Sequence, residues 1–229
     1  MSKQTIVVLG ASRGIGRALV ETLASNSKLQ VIALARNETK MKEQFAAFSN
    51  VDCYEFDLSS NVHAQASAIF SKYTSIDFMI NNAGYLVNKS FDELTHEDFT
   101  LSYQINVIGI MEAVQVAKAH FSIAAHIVNI SSMGGFQGTM KFPGLTAYST
   151  SKAALCSFTE LFAEEHKESG LKMNCLCLGA VQTEMLEEAF PGYKAPLSPE
   201  KMAAFIADFT LNAHQWMNGK IVPVSLSTP

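Results

Sequence analysis

Short apolar runs alternate with longer stretches of helical spacing along the whole chain. Ile6-Val7-Val8-Leu9 and Ile127-Val128-Asn129-Ile130 are almost unbroken, as expected of strands covered by helices on both faces. The pattern predicts strands over Thr5-Leu9, Gln30-Leu34, Val51-Phe56, Ile76-Ile80, His126-Ile130, Lys172-Cys177 and Lys220-Val224. Between them, helical spacing covers Gly14-Ser25, Thr39-Phe48, Asn61-Tyr73, His96-Phe121, Ala147-Glu168 and Pro199-Asn212. The last of these has Ser198 as its cap and Pro199 at the first helical position, where a missing N–H breaks no bond. Alternation of this kind makes βαβ units, so the expected fold is α/β, a doubly wound parallel sheet of about seven strands growing both ways from the first. No linker, repeat or low-complexity tract interrupts the pattern, and residues 1–229 are expected to form a single domain.

Composition narrows the partners. With 48% hydrophobic and 17% charged residues the chain is globular, and a net charge of -4 leaves no basic excess for gripping nucleic acid or an anionic membrane. A small-molecule partner is favoured. Met1-Ser2-Lys3-Gln4 precedes an apolar run too short to span a membrane and without the flanks of a signal peptide, so a cytoplasmic location is expected. The four cysteines, Cys53, Cys156, Cys175 and Cys177, show no C-x-x-C spacing and no histidine cluster; no metal site is expected, and they read as buried thiols, with Cys175 and Cys177 on one face of a strand.

The first strand runs into Gly10-Ala11-Ser12-Arg13-Gly14-Ile15-Gly16 and then into an apolar helix, the context that a dinucleotide phosphate loop requires. Gly10 suits the tight turn, Gly14 the close approach of backbone N–H groups to a pyrophosphate, and Gly16 the contact of helix with strand. The helix N-terminus adds partial positive charge. The same residues satisfy G-x-S-x-G, the elbow of a serine hydrolase with Ser12 as nucleophile. That alternative fails on position, since an elbow on the first strand has no earlier loop to complete an oxyanion hole, and it leaves Gly16 unexplained.

An NAD site places a carboxylate near the end of the second strand, roughly twenty residues beyond the glycines. Here the stretch reads Ala33-Leu34-Ala35-Arg36, and Arg36 together with Arg13 suits a phosphate dianion, so NADP(H) is favoured. Glu38 lies close enough to serve a ribose, which keeps NAD(H) as the alternative.

Tyr148 and Lys152 are one helical turn apart and face one way. A phenol with pKa near 10 needs its anion stabilised to work near neutrality, and a lysine ammonium about 4 Å away would lower it by roughly three units. The pair follows a strand ending in Ser131-Ser132, and a serine hydroxyl there can hydrogen-bond a substrate carbonyl.

The glycine loop, Asn81-Asn82-Ala83-Gly84, Asn106 within Gln104-Ile105-Asn106-Val107, Ser131-Ser132, and Tyr148-Ser149-Thr150-Ser151-Lys152 occur in an order that resembles the classical short-chain dehydrogenase/reductase family across nearly the whole chain. The resemblance implies Tyr148 as acid/base, Lys152 as the residue that lowers its pKa and holds the nicotinamide ribose, Ser132 as the group that polarises the carbonyl, and Asn106 as the anchor of a water relay. It implies that Asp57, with Leu58, contacts adenine, that Asn82, Ala83 and Gly84 line the cofactor, and that Gly179, Val181 and Thr183 lie beside the nicotinamide carboxamide and phosphates. Leu178-Gly179 departs from the family's usual Pro-Gly.

The expected activity is NADP(H)-dependent hydride transfer between a carbonyl and an alcohol, with a cofactor-binding regulator of little turnover as the alternative. Met133, Phe136, Met140, Phe142, Phe190 and Tyr193 fall in segments expected to border the site, the last two in a lid over residues 184–198, and suggest an apolar or aromatic substrate. The tail Ser225-Leu226-Ser227-Thr228-Pro229 ends just past the last strand. The resemblance implies a homodimer or homotetramer built on the helices around His96-Phe121 and Ala147-Glu168.

Overall fold

Thr5 to Leu9 are all buried in β1 (Gln4–Leu9), with Ile6 and Val8 facing one side and Val7 and Leu9 the other. This strand is the hub of the architecture, a computed structural model describing residues 3–226. Residues 1–2 and 227–229, on which parts of the N-terminal and tail readings fall, lie outside the described residues. The remaining strands are β2 (Leu29–Ala35), β3 (Val51–Glu55), β4 (Ile76–Asn81), β5 (Phe121–Ser132), β6 (Lys172–Leu178) and β7 (Ile221–Val224). All seven lie parallel in the order β3-β2-β1-β4-β5-β6-β7, so the sheet grows both ways from β1 as its periodicity predicts. The reversal between β1 and β4 opens a crevice at the carboxyl ends of the strands, where ligands bind in sheets of this kind.

The helices are α1 (Gly14–Ala24), α2 (Glu38–Gln44), α3 (Val62–Phe70), α4 (His96–Tyr103), α5 (Gly109–Ala117), α6 (Thr146–Glu165), α7 (Glu184–Ala189) and α8 (Pro199–Asn212). α1, α2 and α8 cover the face of Ile6 and Val8, while α3, α5 and α6 cover that of Val7 and Leu9. Leu19 and Leu23 of α1 are fully buried, each contributing about 1.5–3 kcal/mol over an exposed position. Ser198 caps α8 through the Lys201 N–H, with Pro199 in its first turn. His126 of β5 is buried between two partners: its Nδ1–H donates to the Thr210 carbonyl of α8 at 2.8 Å, and its Nε2 accepts from Asn174 of β6 at 2.9 Å.

Two elements depart from the periodicity. The expected helix His96-Phe121 is broken into α4, a π turn at Gln104–Ile108, α5 and a 3-10 turn at Lys118–His120, and Phe121 belongs to β5, paired with Ile76. Side-chain hydrogen bonds from Asn106 hold the π turn, and sheet pairing captures Phe121. α7 was not legible, because its six residues are too few for a helical period to stand out. Among the described residues no helix is long and apolar enough to cross a membrane.

Candidate active site

The loop leaving β1 is shaped by contacts that only glycine permits. Gly10 has φ +82°, and a Cβ there would lie 2.6 Å from Ala83 Cα; at Gly16 a Cβ would overlap the Gly10 carbonyl oxygen. That same carbonyl accepts a 3.0 Å hydrogen bond from Asn82 Nδ2, which locks the glycine loop to the end of β4. Gly14, at φ +52°, faces Thr183, whose methyl would be 3.1 Å from an added Cβ. Arg13 stands at the N-cap of α1 in an extended conformation and supplies no side-chain cap, so the first-turn N–H groups are open to an anion. Ala11 is buried and Ile15 packs partly against the core. Ser12 is half-buried and hydrogen-bonds neither a histidine nor a carboxylate, which leaves the hydrolase elbow without a base.

At the end of β2, Arg36 is exposed and makes no ion pair among the described residues, whereas Glu38 is engaged twice, by Lys42 and by the Glu55 N–H at 3.2 Å. The Lys42 hydrogen bond is the main cause that holds the Glu38 carboxyl below its ordinary range. Arg13 does not join Arg36; it forms a 2.6 Å ion pair with Glu188 of α7, both side chains exposed. Asp57 Oδ1 accepts from the Ser59 N–H, while Gln65 binds its backbone N–H and carbonyl. Leu58 is buried and its carbonyl accepts from Gln104 Nε2 at 3.1 Å.

Ser132 closes β5, and Tyr148 and Lys152 project from the start of α6, which crosses that strand end. Gly135 allows the approach, since a Cβ there would lie 2.7 Å from the Ala153 nitrogen and 2.9 Å from Lys152 Cβ. Lys152 Nζ donates to the Ile130 carbonyl at 2.8 Å and sits 6.0 Å from the centre of the Tyr148 ring. Asn106 Oδ1 accepts from the Tyr85 N–H at 2.7 Å, and its Nδ2 donates to the Tyr85 carbonyl and to Ser151 Oγ, each at 2.9 Å. Gly84 lies between the two groups: an added Cβ would be 3.4 Å from Lys152 Nζ and 3.5 Å from Asn106 Oδ1. All four sequence-predicted catalytic residues therefore gather at one strand end, opposite the glycine loop.

The electrostatics correct one expectation. Burial pushes the Tyr148 phenol above its ordinary pKa, opposed by a hydrogen bond with Ser132, and the Lys152 ammonium is not among the causes. Burial is the largest cause for both groups, and the lysine ammonium directs its hydrogen bond to the Ile130 carbonyl. Burial brings Lys152 down to about 8, so it remains protonated at neutral pH.

Beyond β6, Leu178 is the last registered residue, opposite Ser132 and Val224. Gly179 N–H donates to the Val224 carbonyl at 2.9 Å, and an added Cβ there would lie 2.5 Å from Ser225 Oγ. Val181 is buried and bridges Leu197, and Thr183 caps α7 through the Leu186 N–H. The expected substrate residues divide. Met133 and Phe136 pack into the cluster beneath α6, whereas Met140, Phe142 and Tyr193 are at least half exposed and Phe190 is intermediate. Sequence reasoning missed Ser151, which joins Asn106 to the Tyr148 carbonyl, and the part of Ser131, whose Oγ donates to the Lys152 carbonyl at 2.8 Å. Polar residues on the buried face of α6 were the available signal.

The family model described as short chain dehydrogenase matches residues 4–194. The chain is 31% identical to the L-2,3-butanediol dehydrogenase of Corynebacterium glutamicum, over 82% of this chain and 75% of that one. It is 27% identical to the 3-oxoacyl-(acyl-carrier-protein) reductase of Aquifex aeolicus, over 96% and 94% of the two chains. A Burkholderia cenocepacia short chain dehydrogenase solved in complex with NADP shares the fold, with a TM-score of 0.87 at 22% identity over 98% of this chain and 97% of that one.

Proposed function

This chain belongs to the short-chain dehydrogenase family of nucleotide-binding oxidoreductases, and from that premise we propose that it reduces a carbonyl compound with NADPH, reversibly, at the end of β5. The observation carrying the reading is that Lys152 and Asn106 meet at Gly84 while Tyr148 meets Ser132 at the end of β5, beside a glycine loop whose helix N-terminus lacks a side-chain cap. A dinucleotide fits this cradle: Gly10, Ser12, Gly14, Ile15 and Gly16 would hold the pyrophosphate, Asp57 and Leu58 the adenine, and Asn82, Ala83 and Gly84 the middle of the cofactor. Gly179, Val181 and Thr183 would flank the nicotinamide end. Arg36, unpaired, favours a 2′-phosphate, while Glu38 is already committed to Lys42 and Glu55; Arg13 could add a second contact once Glu188 releases it.

When bound, the nicotinamide supplies or accepts the hydride. Ser132 would hold the substrate oxygen by a hydrogen bond, and Tyr148 would donate its phenolic proton to that oxygen. A phenol pushed up by burial stays protonated at neutral pH, as a donor for reduction must. Lys152 would replace the proton, and Asn106, anchored at Tyr85 and Ser151, would hold a water of that relay beside Gly84. We read residues 1–229 as one domain in the cytoplasm. The half-exposed Met140, Phe142 and Tyr193 suit an apolar substrate. A homodimer or homotetramer would cover Ile108 and Met111 near α5 and Leu161 on α6, all apolar and exposed.

The test is Tyr148→Phe, assayed with NADPH on a panel of ketones and aldehydes alongside NADPH fluorescence titration. Turnover is expected to fall by about 10²- to 10⁴-fold with cofactor affinity unchanged, and undiminished turnover would overturn the assignment.

A further inference from the structure

Beneath α6 three thiols converge. Cys175 and Cys177 are two residues apart on β6 and so share a face, and Cys156 descends onto them from α6. The Cys156 sulfur is 3.9 Å from that of Cys175 and 3.6 Å from that of Cys177, and all three lie within 4.8 Å of one another. None is in a disulfide, and Met133, Phe136 and Ile221 pack against them. Periodicity revealed only the β6 pair; the third sulfur arrives through tertiary packing.

The spacing selects a ligand class. A soft atom about 2.3 Å from three sulfurs in one plane holds them roughly 4 Å apart, and a pyramidal centre draws them closer. A zinc ion would need a fourth ligand, and among the described residues no histidine or carboxylate joins the group. Charge narrows the choice further, because a monovalent ion on three thiolates leaves more negative charge than the one nearby ammonium, Lys152, offsets, whereas a trivalent centre on three thiolates is neutral by itself. We propose that Cys156, Cys175 and Cys177 form a binding site for one trivalent arsenic atom, taken up from arsenous acid. Three As–O bonds break and three As–S bonds form; each thiol proton leaves with a hydroxyl as water, and arsenic remains trivalent throughout.

Entry begins at Cys156, which is 8% exposed while the other two are fully buried. Its sulfur is in contact with both of the others, so a first bond formed there brings the arsenic within reach of Cys175 and Cys177. Its sulfur also lies 3.4 Å from Ser131 Oγ, the group that donates to the Lys152 carbonyl, so the site touches the helix that carries the proposed catalytic pair.

The experiment reads binding rather than turnover and so stands apart from the dehydrogenase assignment. The full chain, reduced, is titrated with arsenite and followed by near-ultraviolet sulfur-to-arsenic absorbance and by intact mass under native conditions. The parent and Cys53→Ala are expected to take one arsenic per chain, and Cys156→Ala and Cys177→Val to bind at least tenfold more weakly, with circular dichroism confirming their fold. Should Cys177→Val fail to fold, Cys156→Ala decides alone. Absence of saturable uptake by the parent, unchanged uptake by Cys156→Ala, or loss of uptake in Cys53→Ala would overturn the proposal.

Discussion

Lys152 is only 3% exposed, and burial draws its ammonium from 10.5 to about 8 while Ile130 supplies one carbonyl as partner. Between those two values the unfolded chain binds a proton that the folded chain lacks, so raising the pH through this window favours folding. Below about 8 the penalty is present in full, on the order of 3 kcal/mol. Lys152→Met should therefore lose turnover yet gain on its parent in stability at pH 7, and that relative gain should shrink by pH 10. Urea unfolding at both pH values checks this, and a constant difference would refute it. Arg36 is the second residue on which the proposed function turns, being exposed at the end of β2, where the proposal puts the 2′-phosphate of NADP(H). Arg36→Ala should raise the KM for NADPH by about tenfold or more while leaving that for NADH nearly unchanged, the loss expected for a charge-assisted contact. Equal effects on both cofactors would remove the basis for preferring NADP(H).

At the scale of elements, the π turn at Gln104–Ile108 is the local departure that matters most for the site. Asn106 makes three hydrogen bonds from a fully buried position, two to the Tyr85 backbone and one to Ser151. Asn106→Ala would leave the Tyr85 groups and the Ser151 hydroxyl short of partners, at a cost of roughly 2–4 kcal/mol. A lower melting temperature and faster exchange of the Tyr85 amide are expected; an unchanged amide would mean that Asn106 does not hold the turn. Apolar spacing alone could not expose this break, because a π turn shifts the period by one residue and is fixed by contacts distant in sequence. The boundaries of α8 and the positions of the seven strands were legible, since caps, prolines and buried apolar runs act locally.

For the whole molecule, His126 ties β5 to β6 and to α8 in its neutral form. Burial lowers its pKa from 6.5 to about 4, so across that interval the unfolded chain binds the extra proton and acid weakens the fold. The loss should approach 3 kcal/mol, with His214, also lowered by burial, adding in the same direction. His126→Gln should be less stable at pH 7 but show a shallower fall of stability between pH 6.5 and 4.5. A parent-like slope in urea midpoints would assign the acid sensitivity elsewhere.

The chain's own order of residues determined the α/β class, the seven strands, the glycine loop and the placing of Tyr148 and Lys152 one turn apart on α6, because each depends on periodicity or on neighbours within one helical turn. Only the tertiary structure decided how those groups are solvated and which distant groups meet them. Lys152 spends its charge on a carbonyl rather than on the phenol, Arg13 turns to Glu188, and Cys156 reaches the two sulfurs of β6. Such contacts join positions far apart in sequence, and their strength follows from burial and distance, which no local pattern contains.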